Sequence, residues 1–147
     1  MGKVLEIAIC KNKGEKTFNV NDVEAIAGKG LTDDRNFKEN NDKRIQITLI
    51  EIENINYFNK VSETNIPAKN FRRNIITKGI KLNELLNKSF FIGNIKVFAH
   101  DLCKPCKTLQ DFLNQKNTIK ELLHKGGLRC EILTSGKIFL DDLIKSD

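Results

Sequence analysis

The sequence predicts a mainly β protein, a β-rich α+β domain in which short strands close into a barrel and short helices sit around its outside. Three observations carry this prediction: the apolar segments are short, several alternate with period two, and only brief stretches have helical spacing between them. A doubly wound sheet would need helices alternating regularly with parallel strands, a pattern the chain lacks. Residues 1–147 contain no internal repeat, low-complexity linker or break in composition, so they read as one domain around one core.

Taken in order, residues 4–10 (VLEIAIC) are rich in β-formers, and residues 44–49 (RIQITL) alternate apolar and polar as a half-buried strand does. Ile52, Ile55 and Phe58 then recur at three-residue spacing, which predicts a short helix with Glu51 and Glu53 at its positive N-terminal end. Strand pattern returns at residues 74–77, and Leu82, Leu85 and Leu86 mark a further helical turn. Residues 89–98 read as a hairpin about Gly93-Asn94. Leu109, Phe112 and Leu113 form an i, i+3, i+4 face, and Thr118 through Glu121 has the spacing of a capping box before Leu122 and Leu123. Gly126-Gly127 offers a left-handed helix end, and residues 129–133 resume strand alternation before a Ser135-Gly136 turn.

Composition narrows the function. Twenty-five basic against nineteen acidic residues give a net charge of +6, but the lysines are dispersed, Trp is absent and there is one Tyr. Nucleic-acid binders concentrate charge and interleave it with stacking rings, so a solvated lysine surface is expected and nucleic acid is not the expected partner. No apolar run could cross a bilayer and the start does not resemble a signal peptide, so a cytoplasmic location is expected. Four cysteines, Cys10, Cys103, Cys106 and Cys130, are too few and unevenly spaced for a disulfide framework, which predicts reduced thiols. Arginine is scarce and more informative, because its planar fork suits phosphate and carboxylate: Arg35, Arg44, Arg72, Arg73 and Arg129 are the whole set.

The segments Gly30-Leu31-Thr32-Asp33-Asp34-Arg35, residues 44–51, Phe71-Arg72-Arg73-Asn74-Ile75-Ile76-Thr77, Pro105-Cys106, and Gly126-Gly127-Leu128-Arg129 follow one another in an order that resembles the MOSC family, named for the C-terminal domain of molybdenum cofactor sulfurases. Two positions depart from the family pattern: Asn87 and Asp141 stand where glycine is common, and both residue types tolerate turn conformations. The resemblance implies a small stand-alone barrel that carries sulfur as a cysteine persulfide or binds a molybdenum cofactor (molybdopterin) through a thiolate, with a sulfur donor or a molybdoenzyme as partner and a sulfur transferase or cofactor-associated catalytic role.

Cys106 is then the expected catalytic and metal-ligating thiol. Pro105 favours a first helical turn, so Cys106 should open the helix bearing Leu109 and Leu113, where backbone N–H groups and the flanking Lys104 and Lys107 favour a thiolate. Cofactor-binding candidates are Arg35, Arg72, Arg73 and Asn74, supplying forks and an amide for an anionic group. If residues 72 and 73 are extended, they face opposite ways and only one of the two arginines enters a pocket. His100 could lie near the thiols, but a surface position is expected, and His124 is expected near a helix C-terminus. The alternative function uses the Cys103/Cys106 pair as a thiol-disulfide or metal-binding module, although only one such pair is present.

Overall fold

The computed structural model describes residues 2–147. Among them, seven strands close on themselves: β1 (Gly2–Ile9), β11 (Leu143–Ser146), β7 (Ser89–Ile92), β8 (Ile95–Leu102), β9 (Leu128–Ile132), β5 (Ile47–Glu51) and β6 (Ile75–Lys78), with β6 returning to β1. β2 (Phe18–Val20) pairs with the far end of β1. A second sheet of three strands joins β10 (Gly136–Phe139), β3 (Asp22–Ile26) and β4 (Gly30–Leu31). The helices are short: α1 (Ile52–Ser62), α2 (Lys107–Leu113) and α3 (Thr118–Glu121), with 3-10 turns at Ala68–Phe71 and Leu82–Leu85. No described helix is long and apolar enough to cross a membrane.

Two packed regions explain the apolar pattern. Val4, Ile7, Leu49, Ile75, Val97, Leu128, Cys130 and Ile132 fill the barrel. Ala8, Ile50 and Ile76 point the other way, outward beneath Ile55 and Phe58 of α1, Phe71, and Leu109 and Leu113 of α2. Strands β1, β5 and β6 are therefore apolar on both faces and read as nearly continuous runs instead of alternating. β5 and β6 are parallel, which requires a crossover, and α1 with the turn at Ala68–Phe71 supplies it. The Phe58 and Phe71 rings meet edge to face, centroids 5.5 Å apart, and fasten that crossover to itself.

Local chemistry sets the boundaries. Glu51 occupies the N-cap position of α1 with Glu53 in its first turn. Gly93, at φ +58, opens the two-residue connection that pairs Ile92 with Ile95. Asn87 and Asp141, the two departures from the family's glycines, adopt φ +63 and +69.

Four details differ from the sequence reading. β5 begins at Ile47, because the Asp42 carboxylate accepts from the Arg44 amide and holds residues 42–44 in a turn. The capping box does not form: Thr118 is buried as the first residue of α3, and its hydroxyl donates to the Gln115 carbonyl. His124 lies beyond α3 at φ +62, where its carbonyl accepts from Asn83. Phe112 leaves the apolar face of α2 and is 40% exposed.

Candidate functional site

On the outside of the barrel, facing residues align across three strands. Thr48 of β5 is paired with Arg129 of β9, and Arg129 in turn with Asp101 of β8. Side chains opposite one another in antiparallel pairs share a face, so these three form a row. Over that row lies a cavity of about 610 Å³ whose walls come from four segments: Arg35 and Asn36, Arg44 and Ile45, Arg72 and Arg73, and Leu102 through Lys104. All five arginines of the chain line this one cavity. With Lys104 they set six cations against the single carboxylate of Asp101. A larger cleft, about 1070 Å³, opens between Ile80, Leu85, Phe98 and Asp147, but no arginine and no thiol lines it.

Each arginine is placed by a specific contact. The Arg35 amide donates to the Cys10 carbonyl at 2.6 Å, and its Nη2 donates to the Arg72 carbonyl at 3.2 Å. Its Nη1 is buried and lacks a hydrogen-bond partner among the described residues; the nearest carboxylate oxygen, of buried Asp34, is 3.7 Å away. A buried charged donor without a close acceptor is costly, and here only the 3.7 Å approach of Asp34 offsets it. Arg73 Nε donates to the Gly126 carbonyl at 2.9 Å. Arg44 lies between Asp42 and Asp101, 3.5 and 3.8 Å from their oxygens; hydrogen bonding to Asp42 raises its pKa and lowers that of Asp42.

Arg72 sits at φ +66 after the 3-10 turn, not on a strand, so the opposite-faces rule does not apply and both Arg72 and Arg73 line the cavity. Burial first, and then the neighbouring Arg35 charge, lower the Arg72 pKa from the ordinary guanidinium value. That shift marks a guanidinium withdrawn from water first and crowded by a second cation next.

Asn74 is placed differently. It is 1% exposed, its Nδ2 donates to the Ala8 carbonyl, and its Oδ1 accepts from both the Thr48 amide and hydroxyl. The side chain expected to offer an amide to an anion instead fastens β6 to β5 and β1, and it does not line the cavity.

Cys106 takes the N-cap position of α2, at the helix opening as expected, but Pro105 stands one residue before the cap and not in the first turn; Cys106 is exposed with no side-chain capping bond. The cavity wall itself carries Cys103, two residues before Pro105. Its amide donates to the Gly127 carbonyl at 2.7 Å, an approach permitted by Gly127 at φ +99, where a Cβ would overlap the Leu49 carbonyl. Burial pushes the Cys103 thiol up, opposed by Arg73 and Arg129. Cys130, inside the barrel, is raised further for the same reason of burial. All four thiols are free, and no group of three or more Cys, His, Asp or Glu gathers among the described residues to complete a metal site around the pair. His100 lies against Phe98 and meets Glu131 at 2.9 Å instead of facing the cavity.

Sequence reasoning assigned no role to Arg44, Arg129, Thr48 or Asp101. The scarcity of arginine was the available signal; the row through Thr48, Arg129 and Asp101 depends on strand register, which no local pattern records.

The motif order now has an independent counterpart, for a family model described as the MOSC domain matches residues 34–145. The chain belongs to the MOSC domain family. Among solved structures it is similar to the YuaD protein from Bacillus subtilis, with a TM-score of 0.82 and 19% identity over 98% of this chain and 94% of that one. YiiM from Geobacillus stearothermophilus gives 0.81 and 16% over 100% and 75%, and YiiM from Escherichia coli gives 0.73 and 15% over 100% and 70%. At such identities the likeness shows a shared fold. No curated protein matches the sequence.

Proposed function

We propose that this MOSC domain binds a phosphate-bearing molybdenum cofactor in the arginine cavity and uses Cys106 as its reacting thiol, either to ligate the metal or to carry sulfur as a persulfide. The observation that supports the reading is the gathering of all five arginines around one cavity whose lining holds a single carboxylate. A phosphate or comparable oxyanion supplies the negative charge this lining lacks, and guanidinium forks match it better than ammonium groups would. Cys106 does not itself line the cavity; it lies two residues beyond Lys104 of the wall and is exposed, and it would supply the soft thiolate for the metal end of such a ligand. When bound, a molybdenum cofactor supplies two-electron and sulfur-transfer chemistry at its metal.

The chain's own residues divide the work. Arg35, Arg73 and Arg129 hold the anion, while Asp101 keeps Arg44 turned toward the wall. Gly126 and Gly127 let the Cys103 loop lie close against β5. In sulfur carriage the Cys106 thiolate attacks the outer sulfur of a donor persulfide; a new S–S bond forms on Cys106, the donor's S–S bond breaks, and the donor leaves as a thiolate.

The test is protein purified from molybdate-supplied cells, assayed for molybdenum and pterin fluorescence, with intact mass measured after incubation with a persulfide donor. We expect bound molybdenum with pterin, or one added sulfur on Cys106. Arg35→Ala and Arg73→Ala should each lower cofactor retention at least about tenfold, equivalent to one charge-assisted hydrogen bond. Cys106→Ser should abolish sulfur addition. Protein free of molybdenum and pterin that also accepts no sulfur would sink the reading, as would full retention in both arginine variants.

A further inference from the structure

Arg72 belongs to two cavities. Its carbonyl supports Arg35 in the first, while its side chain also lines a second cavity of about 480 Å³ with Lys16, Thr17, Lys69, Asn70 and Phe112. The walls are tied together: the Thr17 hydroxyl donates to the Lys69 carbonyl at 2.5 Å, and Arg72 Nη1 donates to the Glu15 carbonyl at 2.8 Å. No carboxylate side chain lines this cavity, and neither Lys16 nor Lys69 makes an ion pair with a described residue. Three cations thus face one volume without a counter-charge. The fourth feature is aromatic. Phe112 stays 40% exposed although its position on α2 fits the apolar face, and the Arg72 guanidinium lies 3.8 Å from its ring centroid.

We propose that this second cavity is a subsite for a nucleoside monophosphate group, its phosphate held by Lys16, Lys69 and Arg72 and its base against Phe112. A bare oxyanion uses the cations alone; a base also uses the part of the ring that stays exposed beside Arg72, because aromatic side chains accept any base by stacking. The volume lies within the range of small-molecule sites, about 300–1,000 Å³, and exceeds what a lone oxyanion needs. The subsite does not depend on which anion fills the arginine cavity. Its nucleotide comes either free or as part of a larger ligand that crosses Arg72 into that cavity.

Equilibrium titration at low ionic strength with CMP and GMP, orthophosphate as comparator, tests the subsite. Saturable nucleotide binding should be at least about tenfold tighter than orthophosphate, the equivalent of one stacked base. Lys16→Ala/Lys69→Ala should weaken it by a similar factor, and Phe112→Ala should bring it down to the affinity of orthophosphate. Lys60→Ala/Lys120→Ala removes the same charge from exposed helical sites and should leave binding unchanged. GDP binding tighter than GMP supports the subsite and assigns a ligand reaching across Arg72; equal affinities support it and assign a free nucleotide. Nucleotide binding no tighter than orthophosphate overturns the proposal, and so does a Lys16/Lys69 double variant that binds like the Lys60/Lys120 control.

Discussion

Asn74 and Arg73 are neighbours in sequence with opposite employment. The sequence offered both to an anion, since residue type alone gives both the right chemistry. Register separates them: Asn74 stands beside β1 and β5 with three side-chain hydrogen bonds inside the barrel wall, whereas Arg73 reaches across to the Gly126 carbonyl. Asn74→Ala leaves the Ala8 carbonyl and the Thr48 amide without these partners, which should cost about 2 to 3 kcal/mol in urea unfolding; a loss within error of zero would show that water replaces the amide. The thiols separate in the same manner. Cys103 and Cys130 are buried with raised pKa values, so their thiolates form only at higher pH than an ordinary thiol's, and burial also blocks access. Brief iodoacetamide treatment at pH 7.5, followed by peptide mass mapping, should label exposed Cys106 first, with Cys103 labelling gaining only as pH rises above the usual thiol range. Cys103 labelling ahead of Cys106 would exchange their roles.

Elements were legible where two neighbouring signals agreed. The hairpin of β7 and β8 follows from alternation plus Gly93-Asn94, and α1 from apolar spacing plus early carboxylates. Strands β2, β3, β4, β10 and β11 escaped notice for two reasons: β2 and β4 span only three and two residues, while β3 and β10, and β11 with β1, pair residues more than a hundred positions apart, as Lys137 with Glu24 and Ile144 with Gly2. Such strands are stabilised by partners that local pattern cannot name. The end of α1 shows a local rule broken without visible gain: Glu63 closes the helix at φ +54, is exposed, and makes no ion pair among the described residues. Glycine adopts that conformation without a Cβ penalty. Glu63→Gly should therefore raise stability by about 0.5 to 1 kcal/mol in thermal or urea melts; a decrease would mean that the added freedom of the unfolded chain outweighs the relief.

The whole molecule concentrates on one face what its composition hides. A net charge of +6 spread over a lysine-rich surface is unremarkable, yet every arginine is drawn to the same cavity by four segments far apart in sequence. Folding buries and gathers these cations at a cost, visible in the Arg72 pKa, lowered by burial and then by Arg35, and in Arg35 Nη1, which has no hydrogen-bond partner among the described residues. An anion that binds there adds favourable interactions only in the folded state, so it should stabilise the protein by mass action. At a hundred times its dissociation constant the gain is about 2.7 kcal/mol, or about 5 to 10 °C in Tm for a domain of this size. Sulfate and phosphate also stabilise most proteins by exclusion from their surfaces, and the arginine variants separate the two effects. In Arg73→Ala/Arg129→Ala the general effect persists while the saturable part disappears. Thermal melts of both proteins in increasing phosphate, with chloride at matched ionic strength as reference, should give a hyperbolic rise for the native chain and a shallow line for the variant; parallel curves would show that the gathered arginines do not form an anion site.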